Sequence, residues 1–92
     1  MKLIVVEDEK IIRTGLLKHV PWQRLGVSEV EAAANGEEAL AKTENFRPDI
    51  VLSDIRMPGM SGVDLCRKLR EKFPEIEIIQ CVVKPLASAM GI

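Results

Sequence analysis

Three acidic side chains and one basic side chain follow short apolar runs of the sequence. They are Glu7, Asp8, Asp54 and Lys84. Apolar runs of this length, bounded by turn residues, are typical of strands that are buried on both faces of a parallel sheet. Ligands bind such sheets outside the carboxyl ends of the strands, where side chains leave the core and meet solvent. The four residues are therefore candidates for one functional site.

In combination, these residue types suit the transfer of a phosphoryl group to a carboxylate. In a doubly wound sheet the first and third strands are neighbours, so Glu7, Asp8 and Asp54 would meet at one edge. Carboxylates this close repel each other, and Mg²⁺ suits such a cluster because it binds one or two carboxylates together with waters and phosphate oxygens. Lys84 would add a positive charge at the end of the last strand. A metal, a carboxylate nucleophile and an ammonium group are what this transfer requires, because the transferred group carries negative charge.

Each of these residues, taken alone, also has a purely structural explanation. An Asp at a strand end is more often a turn former or a helix cap than a nucleophile. Asp8 suits the N-cap of the following helix, because a carboxylate there accepts amide protons and faces the positive end of the helix dipole. Lys84 alone is explained as a solvated lysine at a strand end. Both interpretations stay open at the level of single residues.

The remaining patterns predict helices that alternate with strands. Apolar residues that recur every four positions predict a helix over about 9–20, and β-branched residues predict a strand over 27–34. A second helix follows Asn35-Gly36, and a third begins near Ser61. The predicted apolar face of this third helix is Val63, Cys66, Leu69 and Phe73. The order β-α-β-α-β-α predicts a doubly wound parallel sheet with right-handed crossovers.

The composition indicates one small globular domain. The 92 residues are 47% hydrophobic, and 13 basic residues nearly balance 14 acidic ones. This balance leaves no electrostatic signature of nucleic-acid binding, so direct DNA binding is not expected. No apolar run is long enough for a signal peptide or a membrane span, which predicts a cytoplasmic protein. Cys66 and Cys81 lack CxxC spacing and are expected to be free, buried thiols.

Several motifs of the chain resemble those of the receiver domains of two-component response regulators. In chain order they are Val5-Val6-Glu7-Asp8-Glu9, Asn35-Gly36-Glu37-Glu38-Ala39-Leu40, Pro48-Asp49-Ile50-Val51-Leu52-Ser53-Asp54-Ile55-Arg56-Met57-Pro58-Gly59-Met60-Ser61-Gly62 and Val83-Lys84-Pro85. Pro21-Trp22 is similar to the subgroup whose receivers are joined to AraC-type DNA-binding domains. The resemblance implies an α/β, flavodoxin-like (CheY-like) fold with strand order 2-1-3-4.

The resemblance also implies roles for the candidate site residues. Asp54 would be the phosphoacceptor, and the domain would accept a phosphoryl group from a sensor histidine kinase rather than act as an enzyme. The Mg²⁺ ligands would be Glu7, Asp8, Asp54 and the backbone carbonyl of Arg56. Lys84 would contact the phosphoryl group, and the Lys84-Pro85 bond would be cis. Such a domain would regulate transcription.

The end of the chain departs from the family pattern. In the family, a fourth strand ends in a Ser or Thr, and a helix and a fifth strand then lead to the Lys-Pro motif. Here Ile76–Gln80 runs directly into Cys81–Pro85, as though about twenty residues, one αβ unit, had been removed. We therefore expect a single truncated receiver domain over 1–92, family-like over 1–79 and a remnant over 80–92. Its fourth and fifth strands would be merged or truncated.

Three other functions are alternatives to that of a phosphoacceptor. The main alternative is a degenerate receiver that does not switch and acts only as an interaction module, or a nonfunctional truncated form, because Val82 stands where the family has its hydroxyl. A dehalogenase-type phosphatase would need a second Asp two residues after Asp54, where this chain has Arg56. A flavodoxin-like cofactor protein is poorly supported, because no Gly-rich phosphate loop follows the first strand.

The pattern of the last strand predicts self-association. The run Ile76–Val83 carries apolar residues on both faces, as a strand buried on both sides does. The strand and the helix that would cover it in the family are missing, and an uncovered edge of this kind invites pairing. We therefore expect the chain to associate with itself through residues 76–83.

Overall fold

In the part of the chain that the structure describes, strands and α-helices alternate. The computed structural model describes residues 1–81 and 91. The elements are β1 (Lys2–Val6), α1 (Lys10–His19), β2 (Glu29–Ala33), α2 (Gly36–Phe46), β3 (Ile50–Asp54), α3 (Gly62–Lys72) and β4 (Glu77–Cys81), with a short 3-10 helix (Trp22–Leu25) between α1 and β2. Within these residues, no helix combines the length and the apolar character that crossing a bilayer requires.

The four strands form one parallel sheet in the order β2-β1-β3-β4. This order and the flavodoxin-like doubly wound architecture confirm the predicted fold. β1 lies between β2 and β3, and its last residue, Val6, is level with Ala33 on one side and Ser53 on the other. The carboxyl ends of β1 and β3 therefore meet at the same edge of the sheet.

Alternate residues of β1 point to opposite faces and enter two separate apolar cores. Leu3 and Val5 pack in a cluster with Leu16 of α1. Ile4 and Val6 pack in a second cluster with residues of α2 and α3. The strand is apolar at every position after Lys2 because helices cover both faces, as in parallel sheets generally. A buried central strand of this kind gives a rigid base for the residues that follow it.

The third helix begins where the sequence predicts, and Leu69 and Phe73 of its predicted apolar face are buried, but Val63 of that face is not. The Ser61 side chain caps it by accepting a hydrogen bond from the Asp64 backbone at 3.1 Å. Val63 was predicted to face the core, but its side chain is 62% exposed, whereas Leu65 is completely buried. Residues two apart in a helix are separated by about 200° around its axis, so Val63 and Leu65 cannot share a face. The face that packs on the sheet carries Leu65 and, four residues later, Leu69.

Two predicted strands begin earlier in the sequence than the strands observed. The strand predicted over 27–34 is Glu29–Ala33, because the left-handed Gly26, with φ of 83°, ends the 3-10 helix just before it. Of the last predicted strand, Ile76–Val83, the structure shows Glu77–Cys81 as β4, and residues 82 and 83 lie outside the described residues.

The two faces of α3 predict a contrast in stability between a pair of truncations. Leu65→Ala removes a fully buried side chain and should lower the free energy of unfolding by about 2–5 kcal/mol. Val63→Ala, on the exposed side of the same helix, should change it by less than about 0.5 kcal/mol. Urea unfolding monitored by circular dichroism measures both. Equal losses in the two variants would contradict the observed helix orientation.

Candidate functional site

The structure brings three of the four candidate side chains together at one edge of the sheet. Glu7 and Asp8 follow β1, and Asp54 is the last residue of β3. One carboxylate oxygen from each of the three lies within 4.8 Å of the others. The Glu7 N–H donates to the Ala33 carbonyl at 3.0 Å, which extends the pairing of β1 with β2 as far as the site. The sheet therefore positions the cluster through main-chain pairing on both sides of β1.

These carboxylates are buried, and two of their oxygens have no partner. Glu7 is fully buried and Asp54 nearly so, while Asp8 is half-buried. In the described part of the chain, Glu7 Oε1 and Asp8 Oδ1 are buried without a hydrogen bond. Burial, with a smaller contribution from the neighbouring Asp8 and Asp54 carboxyls and against the opposing effect of the Glu9 amide, raises the pKa of Glu7 from 4.5 to about 7. The site thus holds carboxylate oxygens whose hydrogen-bonding capacity is not met within residues 1–81.

A hard divalent cation fits this arrangement. Buried carboxylate oxygens without a partner are costly, because each has lost its hydration without gaining a hydrogen bond. Mg²⁺ takes oxygen ligands and is usually bound by one or two carboxylates while it keeps several waters. The orphaned oxygens of Glu7 and Asp8, beside Asp54, supply ligands of this type. The residues present therefore fit the expected metal.

Main-chain amides hold two of the carboxylates in place. The Glu9 N–H donates to Glu7 Oε2 at 2.8 Å, and the Arg56 N–H donates to Asp54 Oδ1 at 3.2 Å.

The N-cap of α1 is Glu9, without a side-chain cap hydrogen bond. The alternative explanation of Asp8 as the helix cap is therefore wrong. A carboxylate that does not cap the helix is available to a ligand.

Arg13, which the sequence analysis did not identify, lies against the loop that carries the acids. Its Nη1 donates to the Glu7 carbonyl at 2.8 Å and to the Asp8 carbonyl at 3.4 Å. The guanidinium thus fixes the main chain of both residues from the first turn of α1. The sequence signal for this contact is the position of Arg13 in the first turn of the helix, six residues after Glu7 and five after Asp8, close to the loop that carries both acids.

Gly62 and Gln80, at the start of α3 and within β4, also shape the site. A Cβ on Gly62 would lie 2.6 Å from the Asp54 carbonyl oxygen and 2.9 Å from Ile55 Cα, so only glycine lets α3 approach the end of β3 this closely. Gln80 Nε2 donates to the Gly62 carbonyl. Gly62 lies in the quoted motif, but nothing in the sequence pattern marks Gln80, because its role depends on which strand β4 pairs with.

The predictions for Lys84 and for the Arg56 carbonyl are not tested by the described residues. Lys84, and with it the predicted cis bond to Pro85, lies outside the described residues. The predicted role of the Arg56 carbonyl as a metal ligand stays a prediction. Both cysteines are free, as expected, but they are half-buried rather than buried. Cys81 is level with Asp54 across the β3–β4 pair, where burial and the Asp54 charge raise the pKa of its thiol.

The raised pKa of Glu7 predicts how stability depends on pH without metal. Between about pH 4.5 and 7 the unfolded chain has lost a proton that the folded protein keeps, so stability should fall as pH rises through this window. The loss is on the order of 3 kcal/mol. Glu7→Gln should remove most of this slope, whereas Glu71→Gln, on the exposed side of α3, should leave it unchanged. Urea unfolding at several pH values in a chelator measures the slope, and an unchanged slope in Glu7→Gln would contradict the assignment.

Comparison with known proteins identifies the family. Residues 3–88 match the family model of the response regulator receiver domain. The chain is 37% identical over 78 residues to the uncharacterised transcriptional regulatory protein YesN of Bacillus subtilis. It is 35% identical over 83 residues to the response regulator GacA of Pseudomonas syringae. These matches cover 85% and 90% of this chain, respectively.

Solved structures of similar proteins share the fold. A two-component transcriptional regulator AraC from Clostridium phytofermentans superposes with a TM-score of 0.80 at 29% identity, over 87% of this chain and 64% of the other. The receiver domain of AraT, a response regulator from Geobacillus stearothermophilus, gives 0.76 at 35% identity, over 86% and 61%. The chemotaxis protein CheY4 of Vibrio cholerae gives 0.75 at 32% identity, over 98% and 79%. The resemblance to AraC-type and CheY-like receivers is thus confirmed.

The match with these relatives extends over only part of their length. The chain spans 21% of the length of YesN and 38% of that of GacA. Its similarity to both lies within the receiver fold, and the family model covers nearly the whole chain. The chain therefore belongs to the response regulator receiver domain family, whose role in two-component systems is to accept a phosphoryl group.

Proposed function

We propose that Asp54 is the phosphoacceptor of this receiver domain. The observation that carries the proposal is the cluster of Glu7, Asp8 and Asp54, with buried and unpartnered carboxylate oxygens at the adjoining ends of β1 and β3. Asp54 is the member of the cluster that ends a strand of the sheet itself. It is thus the carboxylate that the main-chain pairing holds most firmly.

The transfer is a substitution at phosphorus. An oxygen of the Asp54 carboxylate forms the new P–O bond while the bond from phosphorus to the donor breaks, and the donor keeps that electron pair. The product is an acyl phosphate. Because the Arg56 N–H holds Asp54 Oδ1 at 3.2 Å, the carboxylate is oriented before the donor arrives.

The metal ligands in this proposal are Glu7, Asp8, Asp54 and the main-chain carbonyl of Arg56. A bound Mg²⁺ supplies positive charge that neutralises the phosphoryl oxygens. The pKa of Glu7, which burial raises to about 7, would fall beside this positive charge, so a bound cation would favour the ionised form. Lys84 is proposed to contact the phosphoryl group as a second positive charge, on the strength of the sequence resemblance alone.

The partner that donates the phosphoryl group is proposed to be a sensor histidine kinase, in the cytoplasm. The relatives include transcriptional regulatory proteins of which this chain matches only a part. We infer that the domain serves regulation of transcription and that DNA binding is not a property of residues 1–92, whose net charge is −1. It is proposed to act as a phosphoacceptor and not as an enzyme.

The domain organisation is proposed to be a single receiver, family-like over 1–79 and shortened over 80–92. In support, β4 follows α3 in its expected place and pairs with β3 from Glu77 to Cys81. Nothing in the described residues favours the alternative of an interaction module without a phosphoacceptor.

Incubation with a small phosphodonor and Mg²⁺ tests the proposal. Intact-protein mass spectrometry should detect the addition of one phosphoryl group, and peptide mapping should place it on Asp54. Asp54→Asn should abolish the addition, because an amide is not a nucleophile at neutral pH. Asp49→Asn, at the opposite end of β3, is the matched control and should be modified like the parent. An unmodified parent, or modification that persists in Asp54→Asn, would refute the assignment.

A titration with Mg²⁺ tests the metal ligands separately from phosphorylation. Backbone NMR signals of Asp8 and Asp54 should shift on titration, and the metal should raise the midpoint of thermal unfolding, because it binds only the folded state. Asp8→Asn should weaken binding at least about tenfold. Asp64→Asn, an exposed acid on α3, should not. Equal affinities in these two variants would mean that the cluster does not hold the cation.

A further inference from the structure

We propose that β4 is the contact surface for a second copy of this chain, through antiparallel pairing of the two β4 strands about a two-fold axis at Ile79. β4 is an edge strand of the described sheet, with β3 on one side. Edge strands are commonly protected from pairing by lysines, prolines or bulges. The five residues of β4, Glu-Ile-Ile-Gln-Cys, contain no lysine and no proline.

The direction of the backbone groups fixes the register of this pairing. The Glu77 N–H and the Cys81 carbonyl bond to β3, at 3.0 and 3.2 Å, so odd-numbered residues of β4 point their backbone groups inward. The N–H and C=O groups of Ile78 and Gln80 therefore point outward. Antiparallel pairing about Ile79 places Ile78 opposite Gln80 of the partner subunit. The backbone N–H and C=O groups of Ile78 and Gln80 in each copy are then all hydrogen-bonded to the other copy.

The side chains agree with an axis at Ile79. Ile79 is 49% exposed although it lies in a strand of a parallel sheet. In the proposed register it faces its own copy as a non-hydrogen-bonded pair, with Cα atoms about 4.5 Å apart, the closer of the two antiparallel spacings. Glu77 lies opposite Cys81 of the partner, so no like charges are opposed along the strand.

A groove beside β4 is open to the partner's helix. It has a volume of about 440 Å³ and is lined by Val63, Cys66, Arg67, Arg70, Glu71 and Gln80. α3 connects β3 to β4, and a crossover helix packs back onto the strands that it joins, so α3 is expected about half a strand spacing inside β4. With strands about 4.8 Å apart, two α3 helices in the pair would lie about 10 Å from each other. Helices pack at about 8–10 Å, so each α3 would close the other's groove.

The charges favour a second copy as the occupant. A two-fold interface must be complementary to itself, and the groove carries both signs, with Arg67 and Arg70 beside Glu71. The net charge of −1 gives little repulsion between copies. The other edge strand, β2, differs because Glu29 and Glu31 occupy alternate positions of its five residues. Two copies paired through β2 would bring these carboxylates together.

Sedimentation equilibrium at protein concentrations of order 100 µM tests the proposal. The parent should be a dimer. Ile79→Lys should weaken association at least about tenfold, because it opposes two ammonium groups at the axis. Ile11→Lys is the matched control: Ile11 is 83% exposed on α1, away from β4, and this variant should dimerise like the parent. A monomeric parent, or species larger than a dimer, would overturn the proposal.

Disulfide trapping tests the register even if Ile79→Lys fails to fold. In a background with Cys66→Ser and Cys81→Ser, Ile79→Cys should oxidise to a covalent dimer, because a Cα separation of about 4.5 Å permits a disulfide. Ile11→Cys in the same background is the control. Equal rates in the two variants would overturn the proposed axis. So would a monomer with slow hydrogen exchange over 77–81, since the strand would then be protected without a second copy.

Discussion

The repulsion among three carboxylates at the ends of β1 and β3 is the constraint on which the rest of this structure depends. Glu7 is fully buried beside Asp8 and Asp54, and two of the oxygens in this group have no hydrogen bond in the described residues. Burial first, and the neighbouring carboxyls after it, raise the pKa of Glu7 to about 7, so that this residue binds its proton more tightly than an ordinary glutamate does. The protein keeps the three residues together at a cost in stability that a bound cation would remove.

The fold holds the carboxyl ends of β1 and β3 in place through the strands on either side of β1 and through the helices on both faces of the sheet. β1 is anchored between β2 and β3 in register, and the two apolar clusters that cover it are built from alternate residues of the same strand. Arg13 holds the main chain of the acidic loop from one face. Gly62 lets α3 approach the Asp54 main chain from the other. The site is therefore rigid where it carries the carboxylates, although each holding contact is individually small.

The sequence was sufficient to predict the elements that have strong local signals. The resemblance to receiver domains implied the complete order 2-1-3-4. Apolar runs ending in acids located β1 and β3, and the alternation of patterns predicted a doubly wound sheet in which these two strands are neighbours. The juxtaposition of Glu7, Asp8 and Asp54 followed from that arrangement. The orientation of α3 was harder, because Val63 and Leu65 are both apolar and only the position of the sheet decides which of them is buried.

Contacts between distant parts of the chain could not be predicted in the same way. The Gln80 contact with Gly62 depends on the pairing of β4 with β3, and the Arg13 contact depends on how α1 turns over the acidic loop. Asp8 was equally compatible with a helix cap until the geometry of Glu9 excluded it. In each case the missing information was the relative placement of two elements rather than a residue type.

The pKa of Glu7 reports the electrostatic state of the carboxylate cluster itself, and is therefore the quantity to measure. Carbon-detected NMR of the labelled side-chain carboxyl can follow it in metal-free protein and in the presence of Mg²⁺. We expect the pKa of Glu7 to be about 7 without metal and, with Mg²⁺, to fall toward or below the ordinary value of 4.5, because a nearby cation favours the charged form. A value near 4.5 without metal, or one that Mg²⁺ leaves unchanged, would contradict it.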